Sequence, residues 1–370
     1  MSDDLERLAG WLGERGVTHV AMESTGSYWK PIWNVLEERF ALILANAQHV
    51  KRVPGRNTDV KDAEWLAELL RHGLIQGSFV PDRAQRELRE LTRYQTSLIE
   101  ERTAAVNRLQ KVLEGANVRL ASVASDVTGV SARAMLGEIV AGSTDAAALA
   151  ELAQGRRREK IPALQRALSG RVGDHQRFLL AQQLAHVDFL DEQIARLDAE
   201  VAERTRPFYN AIARLDTIPG VSRRVAETLA AGIGVELDRF PTPGHLASWA
   251  GMCPGNDESA GKRRSGTTRK GSPALRRALT QAGHAAGRSK TTYLGAQYRR
   301  LAARRGAKKA TIAVGHTILT IAYYLLTRST VYDDLGSGYF DERDRDGVRH
   351  RLVGRLEKLG YEVTTEPTAA

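Results

Sequence analysis

The stretch "VTHVAMESTGSYWKPIWNVLEERFALILANA" (residues 17–47) contains the clearest fold signal in the chain. It begins with "VTHVAME", a short run of apolar and β-branched residues typical of a strand. "KPIWNVLEERF" then predicts a helix with Pro31 in its first turn, where a missing N–H costs nothing. "ALILANA" is a continuous apolar run, as in a buried parallel strand. Strand, helix and strand in this order indicate an α/β fold.

Two further helices flank this stretch. "DDLERLAGWLGERG" (3–16) is amphipathic and ends at Gly16, and "DAEWLAELLRHG" (62–73) comes after the second strand. Two strands rarely form a stable open sheet by themselves. We nevertheless expect only two well-formed parallel strands within residues 17–46, with an exposed sheet edge.

Long helices are predicted next, from Arg83 to about Leu113 and from about Asp174 to Arg204. The second has apolar residues at near-heptad spacing over three heptads. These residues are Leu180, Leu184, Val187, Leu190, Ile194, Leu197 and Val201. This seam must be buried against the first long helix or against a second copy of itself, and the sequence leaves both open. Residues 115–172 predict only short helices and loops.

The C-terminal third changes in character. "DTIPGVSRRVAETLAAGIG" (216–234) has the pattern of a helix-hairpin-helix, which offers backbone N–H groups to a DNA phosphate, and a plain helical connector fits it as well. Helices follow in "SPALRRALTQAGHAAGRS", "TYLGAQYRRLAARRG" and "TIAVGHTILTIAYYLL" (311–326). The last is apolar but short for a membrane span, so we expect a buried helix and no membrane partner.

Positive charge is concentrated in one block. The chain carries 54 Lys+Arg against 44 Asp+Glu, yet residues 259–332 hold 16 Lys+Arg and no acidic residue. This acid-free block favours a polyanionic partner, nucleic acid ahead of membrane, over a merely solvated helical surface. The single cysteine, Cys253, excludes a disulfide framework and a multi-cysteine zinc site. With no signal peptide predicted, we expect a cytoplasmic protein.

"NDESAGKRRSGTTRKG" (256–271) places one hydroxyl, Ser259, where the charge changes from acidic to basic. It is either a solvated loop or a nucleophile beside a phosphate-binding surface. A Walker loop does not fit, because five residues separate Gly255 from Gly261 and Arg263 follows Lys262. The phosphate contacts are expected from Lys262, Arg263, Arg264, Arg269, Lys270, Arg276 and Arg277.

Three carboxylates stand at element ends in the N-terminal region. Glu23 ends the first strand, and Asp59 and Asp62 lie three apart at a helix start. Carboxylates so placed suit a Mg²⁺ site for phosphoryl chemistry. By spacing alone, a helix cap at Asp59 and a first-turn dipole partner at Asp62 are favoured.

Four ordered motifs carry a resemblance: "HVAMESTGSYWKP", "NTDVKDAEWLAELL", "IPGVSRRVAETLAAGIG" and "ESAGKRRSGTTRKGSPALRRAL". They are similar to the insertion-sequence-one-ten family of transposases, over about residues 5 to 327. These have an N-terminal DEDD RuvC-like domain and a C-terminal serine-bearing domain. The resemblance implies DNA as substrate and, as in some members, a structured guide (bridge) RNA.

The resemblance also implies roles for single residues. In the family, four acids bind Mg²⁺, a long coiled coil mediates dimerisation, and the serine attacks DNA to form a phosphoserine link. Glu23, Asp59 and Asp62 match the second, third and fourth acids, and Ser259 matches the serine. The first acid, on a strand ahead of a β-hairpin, has no convincing counterpart. We therefore expect a truncated member with weakened Mg²⁺ binding.

The resulting expectation is α/β plus all-α: an incomplete RNase H/RuvC-like domain (1–82), a coiled-coil or helical linker (83–205), a serine-bearing transposase domain (206–330) and a polar tail (331–370). The expected function is that of a DNA transposase or recombinase, which the truncation can leave inactive. We expect it to form a homodimer or homotetramer and to be nucleoid-associated when bound to DNA. The alternatives are a non-catalytic nucleic-acid-binding remnant and a metal-dependent junction nuclease.

Overall fold

The protein divides into two units, because residues of each unit contact mainly one another. They are Met1–Arg86 (the α/β unit) and Glu87–Ala370 (the helical unit). The computed structural model describes residues 2–46, 59–75, 77–255, 257–268 and 270–366. At 59–61, 257–258 and 263–264 it describes the backbone alone. Most of the described chain is helical, so the expected combination of α/β and helical parts is present.

The α/β unit alternates helices and strands as the sequence predicts. Its elements are α1 (Ser2–Glu14), β1 (His19–Glu23), α2 (Trp29–Leu36), β2 (Ala41–Ala45), α3 (Asp59–Arg71) and β3 (Gly77–Ser78). Strands β1 and β2 are parallel, with His19 opposite Ala41, which confirms the two predicted strands. The third strand was not predicted: β3 adds antiparallel to β2, giving the order β1-β2-β3. Two residues, Gly and Ser, contain no apolar alternation that could signal it.

A small apolar cluster holds this unit together. Ala9, Leu36 and Phe40 are its buried members. Beside it, Arg86 donates to Glu37 at 2.7 Å, and both side chains are largely buried. The hydrogen bond from Arg86 lowers the pKa of the Glu37 carboxyl. The end of the unit is thus tied to α2 by an ion pair.

In the helical unit, two long helices pack against each other along the predicted seam. They are α4 (Arg83–Gly115) and α8 (Asp174–Arg204). Leu190 and Ile194 of α8 lie in one buried cluster with Leu98 and Ala105 of α4. Of the two partners that the sequence leaves open, the seam is therefore buried against the first long helix of the same chain.

Between these helices lie three short ones, α5 (Val130–Ala141), α6 (Ala146–Glu151) and α7 (Ile161–Leu168). Short helices and loops were predicted here. The buried core that joins them was not: Met135, Leu136 and Leu164 pack with Leu109 and Leu113 of α4. Short helices bury residues at several angles, so no single period marks such a core.

The C-terminal part of the helical unit is a helical bundle. Its elements are α9 (Tyr209–Asp216), α10 (Arg223–Ile233), α11 (Pro243–Trp249), β4 (Asp257–Ser259), β5 (Lys262–Ser265), α12 (Pro273–Arg288), α13 (Tyr293–Arg305) and α14 (Ala307–Arg328). Leu229, Leu279 and Ile318 belong to one large buried cluster that joins these helices. Gly283 and Gly315 allow α12 and α14 to approach closely, since an added Cβ on Gly283 would lie 2.7 Å from the Thr311 carbonyl oxygen.

Helix α14 is the one helix in the described ranges long and apolar enough to cross a membrane. Val314, Ile318 and Ala322 on its buried face belong to the core of the bundle, as the sequence predicts for a buried helix. The C-terminal segment adds α15 (Tyr339–Arg343) and α16 (Arg345–Glu357). It is anchored by Asp334, which accepts from the Tyr293 backbone N–H at 3.0 Å.

Candidate functional site

Glu23 occupies the carboxyl end of β1, as predicted. It lies opposite Ala45 in the parallel ladder, and its side chain is half-buried. The next residue extends the pairing, because the Ser24 N–H donates to the Ala45 carbonyl at 2.9 Å. Pairing with β2 at Glu23 and at the residue after it therefore fixes the direction in which the Glu23 carboxylate leaves the sheet.

The two aspartates lie in the first turn of α3. The helix begins at Asp59, packs against β1, and includes Asp62, which is half-buried. The side chain of Asp59 lies outside the described atoms. The structure thus brings the Asp62 helix to the Glu23 strand.

A Mg²⁺ ion would fit these oxygen donors in chemical type, since Mg²⁺ is usually held by one or two carboxylates together with substrate phosphates. Within the side chains that the structure describes, no group of three His, Cys, Asp or Glu is close enough to hold a metal ion. Glu23 and Asp62 are the described carboxylates of the predicted set. The described side chains therefore do not form a complete metal site from protein ligands alone.

Ser259 lies on a β-hairpin, where the sequence suggested a loop. It ends β4 and lies opposite Lys262, the first residue of β5. The two turn residues, Ala260 and Gly261, have φ of 51° and 73°. Positive φ at both positions matches a type I′ turn, whose twist suits a two-residue hairpin. The strands were missed because β5, "KRRS", is almost entirely charged and contains no apolar alternation.

The register of the hairpin decides what the serine faces. Because residues directly opposite each other in an antiparallel pair project to the same face, Ser259 and Lys262 share a face, with Cβ atoms about 5 Å apart. The pairing shifts between Asp257 and Glu258, which is a β-bulge. A bulge re-aims neighbouring side chains and is common beside functional sites. Both Ser259 and Lys262 are exposed.

The base of the hairpin is fixed to the bundle. The Gly255 N–H donates to the Thr267 carbonyl at 2.7 Å, and Pro254 pairs with Thr268. Close packing follows at Gly271, where an added Cβ would lie 2.3 Å from the Ala250 carbonyl oxygen. The serine is therefore presented by a hairpin whose base cannot shift without displacing backbone.

The two serines of this segment differ in their surroundings. The Ser265 hydroxyl is hydrogen-bonded to Thr267 Oγ1 and also accepts from the Thr267 N–H at 3.1 Å. The Ser259 hydroxyl makes no hydrogen bond with any side chain or backbone group in the described ranges. Ser265 thus stabilises the hairpin, and Ser259 is available to a ligand.

The predicted cations fall into three groups. Lys262 and Lys270 are exposed. Arg276 donates to the Gly251 carbonyl at 2.7 Å, and Arg277 pairs with Glu100 at 2.7 Å. Arg276 thus helps to hold α12 to the end of α11, a structural role that the sequence did not show. The side chains of the remaining three predicted cations, Arg263, Arg264 and Arg269, lie outside the described atoms.

The helix-hairpin-helix candidate connects α9 to α10 and packs on α12. Gly220, at φ 88°, approaches so closely that an added Cβ would lie 2.4 Å from the Ala282 carbonyl oxygen. Ser222, before α10, is exposed and makes no capping hydrogen bond. This turn therefore has a packing role, whichever of the two functional interpretations holds.

Comparison with protein families adds to this geometry. A DEDD-type IS110 family model, described as a transposase, matches residues 1–118. A second, described as "Transposase IS116/IS110/IS902 family", matches residues 212–299. Together the matches support an IS110-family transposase. Among curated proteins no match is found.

The two matched segments contain both candidate sites. The first covers Glu23, Asp59 and Asp62, and the second covers Ser259 and all of α12. The two family matches support a DNA-recombining enzyme that binds DNA, and the first suggests dependence on a divalent metal in general. The insertion-sequence resemblance found in the sequence is confirmed at this level.

Proposed function

We propose that this transposase acts through Ser259 as a nucleophile toward a DNA phosphate. The observation that carries the proposal is the exposed Ser259 hydroxyl, without a partner among the described residues, opposite Lys262 on a hairpin with a fixed base. A serine hydroxyl needs a phosphate held in line, and a cation can stabilise charge developing on that phosphate. Lys262 is placed to do so.

The reaction is an exchange of phosphoester bonds. The Ser259 oxygen forms a bond to phosphorus, and the bond from phosphorus to the leaving DNA oxygen breaks. The serine proton passes to a base, and the leaving oxygen takes up a proton. Asp257 and Glu258 are the nearest acids in sequence to act as that base. The phosphoserine link conserves the energy of the phosphodiester for rejoining.

The acids of the α/β unit form the second part of the proposal. Glu23, Asp59 and Asp62 would hold Mg²⁺, which when bound neutralises charge on phosphate oxygens. Three positions match where the family pattern has four acids, so we expect Mg²⁺ binding to be weak. Calorimetry should therefore detect weak binding that Glu23→Gln and Asp62→Asn reduce further. Tight binding that both variants retain would contradict this assignment.

The remaining partners belong to the same proposal. A guide RNA and a homodimer or homotetramer are implied by the family resemblance. Because the α8 seam is buried on α4, association would have to use another surface. Light scattering of the purified chain tests this: a monomer at micromolar concentration would contradict the proposed association.

The deciding experiment is covalent trapping. The chain is incubated with DNA carrying the ends of its element and with Mg²⁺, then denatured. We expect DNA to stay attached to the protein, Ser259→Ala to abolish the adduct, and non-covalent binding to stay nearly unchanged. Ser265→Ala is the matched control and should retain the adduct.

Each alternative predicts a different result. Cleavage that survives Ser259→Ala would favour a metal-dependent junction nuclease acting through the acids alone. Binding without any adduct or cleavage in the wild type would favour a non-catalytic nucleic-acid-binding protein. An adduct that survives Ser259→Ala would place the nucleophile elsewhere.

A further inference from the structure

A second group of cations lies at the turn between α13 and α14, apart from the serine hairpin. We call it the α13–α14 corner. It comprises four exposed residues, Arg304, Arg305, Lys308 and Lys309. None of their side chains forms a hydrogen bond or an ion pair within the described ranges. The corner therefore concentrates positive charge that the described protein does not compensate.

Two other cations of the acid-free block are paired with acids. Arg277 pairs with Glu100, and Arg300 pairs with Asp341 at 3.5 Å. Asp341 and the rest of α15 contact α13, where Arg300 lies more than one turn before the corner. The corner thus remains uncompensated, although Asp341 of α15 pairs with Arg300 a short way along α13.

The start of α14 is electrostatically unfavourable for its cations, whereas Arg304 and Arg305 lie in the last turn of α13, where the helix dipole favours positive charge. Lys308 and Lys309 lie in the first turn of α14, at the positive end of its dipole, where cations are destabilising. They also lie within five residues of Arg304 and Arg305. A bound anion would relieve both repulsions.

The corner lies at the end of α12 that is far from the serine hairpin. An added Cβ on Gly283 would lie 2.7 Å from the Thr311 carbonyl oxygen, and one on Gly315 would lie 2.9 Å from the Leu279 carbonyl oxygen. Helices α12 and α14 are therefore antiparallel, and α14 starts beside the C-terminal part of α12. The 16 residues of α12 span about 24 Å.

We propose that the α13–α14 corner is a second phosphate-contacting surface, which engages the same DNA duplex as the serine hairpin. A distance of about 24 Å corresponds to about seven phosphates along one strand, at about 3.4 Å each. Between the two ends, α12 contains no acidic residue and exposes Gln281, His284 and Arg288. This inference uses the DNA substrate of the family and does not depend on the chemistry of Ser259.

The test compares two charge-matched variants of the full chain. One is R304Q/R305Q/K308Q/K309Q. The control is R119Q/R156Q/R166Q/R171Q, which removes four exposed arginines from the region between α4 and α8. Binding to duplexes of about 20 and about 6 base pairs is measured by fluorescence anisotropy between about 50 and 200 mM salt, lengths chosen to reach both surfaces or only one.

On the longer duplex, the corner variant should lose about 3.6 from the slope of log affinity against log salt, or about 0.9 per lost contact. Between about 50 and 200 mM salt, the factor by which the corner variant loses affinity should therefore be about a hundredfold smaller than the factor for the wild type. On the shorter duplex the corner variant should lose less of this slope than on the longer one, because a short duplex contacts one surface at a time. The control should keep the wild-type slope on both.

Three outcomes would overturn the inference. The corner variant could keep the wild-type slope, the control could lose as much as the corner variant, or both duplex lengths could show the same loss. A corner variant that binds DNA normally but no longer binds phosphatidylserine vesicles would instead assign the corner to an acidic lipid surface. Equal thermal unfolding of all three proteins excludes misfolding as the cause.

Discussion

The α/β unit and the C-terminal bundle each present candidate chemistry at an element end, but they rest on very different cores. In the α/β unit the buried apolar cluster consists of Ala9, Leu36 and Phe40. In the bundle a continuous cluster reaches from Ile212 to Leu326. The serine hairpin therefore stands on helices that fix one another, whereas the acids depend on a short sheet with little buried area. Local opening should be easier around the acids than around the base of the hairpin.

The largest expected effect comes from removing one buried leucine in each region. Leu279 and Leu36 are 0% and 1% exposed. Leu279→Ala should cost about 3–5 kcal/mol and Leu36→Ala about 2–3 kcal/mol, because a small cluster relaxes into a cavity more readily than a crowded bundle does. Hydrogen exchange read separately in the two units measures both. Equal losses of stability in the two units would contradict the proposed difference between their cores.

A smaller effect is expected where α12 crosses α14. Gly283→Ala should cost about 1–3 kcal/mol, because the added methyl meets backbone atoms that can move only if the helices separate. Gly137 in α5 is the control, since nothing lies within 4 Å of its added Cβ. Gly137→Ala should stabilise by up to about 1 kcal/mol through helix propensity. Urea unfolding measures both changes. If both substitutions change the free energy of unfolding in the same direction, the close crossing of α12 and α14 is contradicted.

The hairpin turn offers a local test of similar or smaller size. Ala260 adopts a positive φ that disfavours a side chain, so Ala260→Gly should stabilise the hairpin by about 1 kcal/mol. Gly261→Ala should destabilise it by a similar amount. Exchange rates of the hairpin amides report both changes. If Ala260→Gly destabilises the hairpin or Gly261→Ala stabilises it, the turn is not of the type I′ class.

The smallest effect is a pH dependence of the bundle. Burial lowers the pKa of His316 on α14, so the unfolded chain takes up this proton at a higher pH than the folded chain. Stability should be complete above the usual histidine pKa and should decrease as the pH falls through it toward the lowered value. In His316→Gln, the midpoint of thermal unfolding should depend less on pH across this range. The exposed His284, changed to Gln, should leave the profile as it is.

Several features could be predicted from the sequence because their signals are local. The boundaries of α8, Asp174–Arg204, agree with the apolar spacing of that segment. The two parallel strands agree with the runs in "VTHVAME" and "ALILANA". The helix that begins at Asp59 agrees with the helix start expected at Asp59 and Asp62. Apolar periodicity and helix-start signals depend on residues close together in the sequence, so they can be recognised without knowledge of distant contacts.

The candidate site could be predicted only in part. Ser259, Glu23 and Asp62 were named from motifs, and the structure places each at the end of a strand or in the first turn of a helix. The role of Arg276 as a donor to Gly251 was missed, because a cation in a basic run gives no sign of which carbonyl it will reach. The free cations of the α13–α14 corner were not singled out for the same reason.

The sequence by itself determined where the long helices and the two parallel strands form, where positive charge accumulates and which motifs resemble a transposase. Only the tertiary structure decided that the α8 seam is buried on α4, that Ser259 faces Lys262 across a hairpin, and which cations remain unpaired. The burial of the seam and the pairing of the cations depend on contacts between residues far apart in the chain, whereas the short charged strands of the hairpin contain no apolar alternation that marks them. Apolar periodicity states that a face must be buried, but the partner that buries it is set by packing, in which many long-range contacts form together.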